Sequence, residues 1–444
     1  MTGNTQLAAN TSYTVQTPAS TVTLTLPPST AVTVGDTVTI SGTSATTWVL
    51  AQNTDQYVLT TGLNGNVPAG TTWTPRLSPR VWHWISSDST GDALLAGEAG
   101  GVLNTSRDAG QTWTSGNSPS GIWISSDMSA RGELMVALQY GGGMYTSTDF
   151  GVTWARVMDP LVNDAAGLAY ESVTVSADGQ HIAATIQPTP GTTPNGRLVF
   201  SNDAGRTWSV ASLPAGTYFW RAIDSSADGQ VIVAVSHNGE VFLLANAGAS
   251  WSPLTVQLTT AGGSTAFAES WYRVKLSADG NTIALAANSF GGAPGSGIFV
   301  SRDRGATWTR NFTLTADYTA LAISSDGRTI AASISNTATG GATTPGRVVI
   351  STDAGPGFAA LTLPGTDTDW RALAMASDAT RIAVAAGRFT TSAAGQLYTT
   401  SGGRTSTGAA GSVVGNQNAS VTLRYLGNGV WSVQAAAGGP FTVR

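Results

Sequence analysis

Five aromatic residues, Tyr170, Trp220, Trp271, Tyr318 and Trp370, each stand eight positions before the Asp of a repeated turn that reads Ser-x-Asp-Gly in its best copies. Charged residues accompany them. Arg221 and Arg371 directly follow their tryptophans, Arg273 lies one place further on after Trp271, and Glu171 follows Tyr170. Flat rings at a ring mouth can stack on sugar faces, and guanidinium forks can hold a carboxylate through two parallel hydrogen bonds. Tyr170, Glu171, Trp220, Arg221, Trp271, Arg273, Tyr318, Trp370 and Arg371 are therefore the candidate ligand-binding residues. The competing reading makes the aromatics packing wedges at the strand starts and the arginines ion-paired or solvated surface groups.

Catalytic constellations are scarce. Glycoside hydrolysis needs two carboxyl groups within about 5 to 10 Å, and the acids outside turns are Glu98, Glu133, Asp159, Asp164, Glu171, Asp224, Glu240, Glu269, Asp317, Asp367 and Asp369. Of these, Glu171, Asp317 and Asp369 fall near the candidate mouth. His83, His181 and His237 lie in different units without metal-ligand spacing, and no phosphate-binding loop, dinucleotide fingerprint or nucleophile elbow occurs. No catalytic residue, metal or cofactor is assigned.

The elements that position these residues repeat. Ser106 to Trp113, Ser147 to Trp154, Ser201 to Trp208 and Ser301 to Trp308 all read S-x-D-x-G-x-T-W, and weaker copies start at Leu244, Ser351 and Thr399. The seven starts give a mean period of about 49 residues, the length of a four-stranded propeller blade. Ahead of most boxes lies a Ser-x-Asp-Gly turn (176–179, 226–229, 277–280, 324–327, with looser versions at Ser87-Asp88, Ser126-Asp127 and Ser377-Asp378), followed by a short apolar run such as Ile182-Ala-Ala. Such a run between turns reads as a buried strand. The box itself reads as a hairpin turn in which the Asp accepts turn N–H groups and the Gly takes positive φ. Asp108, Asp149, Asp203, Asp303 and Asp353 are accordingly structural.

These motifs resemble the Asp-box, or bacterial neuraminidase repeat, of sialidases, sortilin-type receptors, photosystem II assembly factors and some xyloglucanases, over roughly Ala69 to Ser406. The resemblance implies an all-β, seven-bladed propeller and leaves the activity open. The arginines are similar to a sialidase triad, yet no Arg-Ile-Pro motif precedes the first box and no Tyr/Glu nucleophile pair can be assigned. In such a blade the boxes mark one face, and the strand starts with the B–C loops mark the other. Those loops are long at 187–196, 288–297, 336–346 and 387–395, where a rigid ring usually carries its specificity.

The seventh box lacks its Trp, while Gly70-Thr-Thr-Trp73 carries an orphan Trp, so Thr71 to Arg76 is expected to supply the outer strand of the last blade. The domains expected are 1–68, 69–406 and 407–444. Thr21 to Leu26, Val34 to Ile40 and Trp48 to Asn53 read as antiparallel strands, and Ser420 to Val433 as a hairpin around Asn428-Gly429. Together the ends are expected to form one small β-sandwich-like module. Its wording weakly resembles accessory modules of bacteriophage tail fibres, which implies attachment or homo-oligomer formation.

Composition removes other classes. The 444 residues are 41% hydrophobic and 11% charged with no Cys, which excludes thiol chemistry and a disulfide scaffold. Net charge is −5 and Lys275 is the single lysine, so no nucleic-acid partner is expected. No run of 18 apolar residues and no ordinary signal peptide occur, so membrane insertion is not expected. The reading is a non-catalytic recognition protein, extracellular or virion-associated, that binds a glycan or cell-surface polysaccharide on the face opposite the boxes. The alternatives are a glycan-processing enzyme (a sialidase-like hydrolase or a polysaccharide lyase) and an assembly factor with a protein partner.

Overall fold

The computed structural model describes all residues except 1–2, 17–20, 44–46, 61–62, 64–69, 71, 160, 163–167, 189–194, 246–250, 261–262, 268, 289–295, 315, 336, 340–341, 354, 356, 389–392, 402–404, 406–408, 410, 428, 440 and 444. Asp164, most of the loops at 187–196 and 288–297, parts of those at 336–346 and 387–395, and the centres of the boxes starting at Leu244 and Thr399 fall outside the described residues. Two compact units emerge, Trp73–Thr400 and the pair Met1–Thr72 with Ser401–Arg444.

The larger unit is a succession of four-stranded antiparallel groups. The third shows the pattern: Tyr170–Val175, Ile182–Ile186, Arg197–Ser201 and Ser209–Val210 pair in chain order. Its second strand, Ile-Ala-Ala-Thr-Ile, is buried at every position, because neighbouring groups cover both of its faces. Seven such groups occur among the described residues, the first two joined into one sheet through Leu94–Gly101 and Gly121–Met128. The seventh takes its fourth strand from the start of the unit: Thr74–Arg80 pairs with Ala393–Ser401, with Thr74 opposite Thr399 and Arg76 opposite Leu397. That strand begins three residues later than Thr71 and runs on to Arg80, and the Arg76 guanidinium clips it by donating to Thr399 Oγ1 at 2.8 Å.

A circuit of backbone hydrogen bonds ties the seven groups together. The N–H of Ser89 donates to Ala130 O, Ala130 to Ala177, Ala177 to Ala227, Ala227 to Ala278, Ala278 to Ser325, Ser325 to Ser377, and Ser377 back to Ser89, at 2.7 to 3.0 Å. Each bond joins the first turn of one group to that of the next. The circuit also corrects two turns. In the second group the turn is Ser129 to Gly132, not Ser126-Asp127, and in the first it is Asp88 to Gly91. Asp127 lies inside the inner strand Gly121–Met128. Both turns keep the glycine at positive φ, 70° at Gly91 and 70° at Gly132, but lack the Asp before it.

The box turns close on their own side chains. In the first, Asp108 Oδ1 accepts from Ser106 Oγ and from the N–H of Thr112, both at 2.8 Å, and Oδ2 accepts from Thr112 Oγ1 at 2.6 Å. Asp149, Asp203 and Asp303 repeat this set, and Asp353 keeps the bond from Ser351. The residue before the glycine is left-handed as well in the boxes of Asp108, Asp149, Asp203 and Asp303, with φ 57° at Ala109 and 60° at Phe150. Hydrogen bonds from Thr153, and from the N–H and hydroxyl of Thr207, hold Asp149 and Asp203 down at about 2. A carboxylate lowered by folding stabilises the native state above its unfolded value near 4, and that contribution is lost as pH falls through about 2. Paired Asp149→Asn and Asp203→Asn substitutions should lower the thermal midpoint at pH 7 more than at pH 2. An equal loss at both pH values in calorimetry would show that the carboxylate charge is not what the turns use.

The terminal unit is a β-sandwich. One sheet runs Thr5–Gln6, Val22–Thr25, Trp48–Ala51, Ser412–Gly415, Thr442–Val443, and the other Thr11–Val15, Thr37–Gly42, Ser420–Gly427, Val430–Ala437, Tyr57–Leu59. Leu24, Ile40, Trp48, Val421, Leu423 and Trp431 from both sheets share one core. The N-terminal strands are not antiparallel to one another: Val22–Thr25 lies parallel to Trp48–Ala51, and Thr11–Val15 parallel to Thr37–Gly42. Successive strands alternate between the sheets, and a connection that crosses over returns its strand in the same direction. The expected hairpin forms between Ser420–Gly427 and Val430–Ala437, with Asn428 outside the described residues.

Candidate functional site

One cavity of about 310 Å³ is lined by residues of all seven inner strands, from His83 on the first to Met375 on the seventh. A local irregularity decides which side chains reach it. On every inner strand the register shifts by one residue immediately after the leading aromatic, at Trp82/Trp84, Trp123/Ser125, Tyr170/Ser172, Trp220/Ala222, Trp271/Arg273, Tyr318/Ala320 and Trp370/Ala372. A bulge leaves its extra residue out of the ladder and re-aims it. The seven residues so released, His83, Ile124, Glu171, Arg221, Tyr272, Thr319 and Arg371, all line the cavity.

The aromatics take the opposite course. Tyr170, Trp220, Trp271, Tyr318 and Trp370 are at most 2% exposed. Trp271 donates its indole N–H to Gly239 O at 3.0 Å, and Tyr318 its hydroxyl to Leu314 O at 2.8 Å. None presents a face for stacking, which corrects the ligand-contact reading of these five. Trp82 and Trp123 extend the column to seven, since each lies eight positions before the residue that precedes the turn glycine, Thr90 and Arg131. With no Asp at Thr90 and Arg131, the sequence signal in the first two groups rests on Gly91 and Gly132 alone.

The charged candidates converge. Arg221 pairs with Glu171 at 3.2 Å, and the Arg371 Nε stands 3.6 Å from Asp369 Oδ1. Arg273 donates to the backbone oxygens of Thr319, at 2.6 Å, and Tyr272, at 2.9 Å. The Tyr272 ring carries Arg273 at 4.3 Å from its centre and Arg221 at 5.5 Å, a cation–π arrangement that fixes both forks. His83 donates its Nδ1–H to Trp123 O at 3.0 Å, which fixes the tautomer of the neutral ring. Burial pulls its pKa down, and Arg273 and Arg371 push it further the same way, so His83 is neutral near pH 7 and lies in the field of guanidinium groups from the fifth and seventh groups. Among the described residues the Arg371 terminal nitrogens make no hydrogen bond.

A second charged layer, three residues further along the inner strands, escaped the sequence analysis. Lys275 donates to Asp224 Oδ1 at 2.7 Å, and Asp224 Oδ2 accepts the N–H of Leu276 at 2.7 Å. Asp127 Oδ2 accepts the N–H of Val175 at 2.7 Å. Each aspartate thus caps an N–H on the free edge of the next inner strand, as Ser125 and Ser172 do for Val173 and Ile223 at 3.3 Å. A free strand edge needs such partners. Loss of water around Asp127 pushes it up to about 6, with the Lys275 ammonium opposing and Asp224 adding to the rise. Asp127 and Lys275 line the cavity, whereas Asp224 is 6% exposed and does not. The signal available in the sequence was that Lys275 is unique.

Asp317 lies off this cavity, and Glu171 and Asp369 each face an arginine. Among the described residues no three His, Asp or Glu side chains group as metal ligands, and no helix is long and apolar enough to cross a membrane.

No family model and no curated protein matches the chain. Solved β-propellers do. The Swd1 (Cps50) propeller domain of Myceliophteria thermophila aligns at TM-score 0.52 and 12% identity over 74% of this chain and 98% of that one. YCF48 from Cyanidioschyzon merolae aligns at 0.51 and 14% over 74% and 99%. A GH74 xyloglucanase from Xanthomonas campestris reaches 0.49 and 14% over 71% and 54%. The first two likenesses show the β-propeller fold, and the fold alone.

Proposed function

We propose that the protein is a non-catalytic recognition propeller that seats a carboxylate of its ligand among Arg221, Arg273 and Arg371 at the mouth of the central cavity. The observation that carries this reading is the convergence of three guanidinium groups, from three separate inner strands, on one cavity. Guanidinium groups are donors only, and their fork fits a carboxylate. Fixing them beforehand on Tyr272, Thr319 O and the two acids lowers the ordering cost of binding. The glycan reading has lost its stacking column, but exposed rings remain at the same ends of the strands, Tyr140 at 63% and Phe219 at 44%. A carboxylated glycan and an acidic polypeptide both satisfy the arginines. Either fits an extracellular or virion-borne receptor-binding role.

The test is an array of glycans and peptides in which each carboxylated probe has a methyl ester or amide twin. Charge-assisted hydrogen bonds contribute about 1.5 to 3 kcal/mol, so Arg273→Gln and Arg371→Gln should each weaken the carboxylated probes roughly 10- to 100-fold. Glu171→Gln, which releases Arg221, should strengthen them. Equal binding of acids and their neutral twins would refute the arginine mouth, and turnover of any probe would move the case to the enzyme reading.

A further inference from the structure

The two charged layers of the cavity carry opposite net charge. At the mouth, Glu171 and Asp369 answer two of the three arginines, and Arg273 is held by carbonyl oxygens, so one positive charge is left over. In the deeper layer a single ammonium, Lys275, faces two carboxylates, Asp127 and Asp224, so one negative charge is left over. Asp224 gives both oxygens to Lys275 and Leu276. Asp127 lines the cavity and makes no hydrogen bond to a side chain among the described residues.

The layers are three residues apart along the inner strands, from Ile124 to Asp127 on the second and from Arg221 to Asp224 on the fourth. At a strand rise of about 3.3 Å per residue that is roughly 10 Å. A ligand that neutralises both layers therefore carries an anion at one end and a cation at the other; hydrogen bonds of about 2.8 Å at the two ends leave roughly 4 Å between them if everything lies along the strands, and more where the protein side chains reach in from the wall. A carboxylate and a primary ammonium joined through one extended lysine side chain lie roughly 7 Å apart, inside that range, and fit within about 310 Å³.

We propose that the cavity receives the C-terminal residue of a peptide ending in lysine, its α-carboxylate on Arg273 and Arg371 and its side-chain ammonium directed to Asp127. This rests on the carboxylate reading of the mouth and adds the deeper cation subsite.

The test uses the full chain and fluorescently tagged acetyl-dialanyl-lysine with a free C-terminus, the same peptide amidated, and a twin with norleucine in place of lysine. The free acid should bind at least tenfold more tightly than the amide and about tenfold more tightly than the norleucine twin. In Asp127→Asn, the preference for lysine over norleucine should vanish while norleucine affinity stays constant. Equal binding of lysine and norleucine peptides to the unaltered protein overturns the cation subsite and leaves the arginine mouth standing. Binding of carboxylated glycans without the peptide overturns the peptide assignment alone, and failure of every carboxylate overturns both readings. The lysine–norleucine comparison needs no variant, so misfolding of Asp127→Asn would not rescue the proposal.

Discussion

Trp271→Ala is expected to destabilise the propeller unit by about 3 to 5 kcal/mol, the usual cost of deleting a fully buried indole. Trp271 has no solvent exposure and packs with Val231, Val233 and Val235 of the fourth group and with Ile283, Leu285 and Phe299 of its own. Its ring meets Phe299 edge-on at 5.1 Å. Removal would leave a cavity between two groups and orphan the Gly239 carbonyl that the indole N–H now serves. Trp271→Phe keeps most of the volume and should lose about half as much. The measurement is the denaturant midpoint of the full chain, followed by intrinsic fluorescence and circular dichroism so that the two units can be told apart. An unchanged midpoint together with abolished ligand binding would return Trp271 to a stacking role.

Lys275→Met is the second large effect. It leaves the Asp224 carboxylate, 6% exposed, without its cation. Breaking a buried pair from one side costs about 3 to 5 kcal/mol. The lower figure is expected, because the Lys275 side chain is 38% exposed and water in the cavity shares the charge. The pH dependence has a definite sign. Burial already holds Asp224 above the usual carboxylate value against the pull of Lys275, and removing the lysine lifts it further. A raised acid is harmless while protonated, so the defect should be small near pH 4 and grow toward pH 7. Asp224→Asn added to Lys275→Met should recover most of the loss at pH 7. A defect of equal size at pH 4 and pH 7, with no recovery in the double variant, would show that packing and not charge sets the role of Lys275.

The sequence by itself determined the local and repeating parts of this protein. The box spacing fixed the four-stranded group, because each turn is closed by side chains within six positions of one another, such as Ser106, Asp108 and Thr112. The orphan Trp73 pointed to the strand that completes the last group, and the alternating Thr/Val segments pointed to the terminal sandwich. Arg221, Arg273 and Arg371 were legible as one set because they keep nearly the same place in the fourth, fifth and seventh repeats. The tertiary structure decided which way each side chain faces. The bulge after each leading aromatic turns the ring into the core and its follower into the cavity, and that irregularity depends on packing between groups rather than on any residue type at the position: His, Ile, Glu, Arg, Tyr, Thr and Arg all occupy it. The Asp127, Asp224 and Lys275 layer was invisible for a related reason. Lys275 meets Asp224 from 51 residues away, and only the side-by-side packing of neighbouring groups brings such partners together.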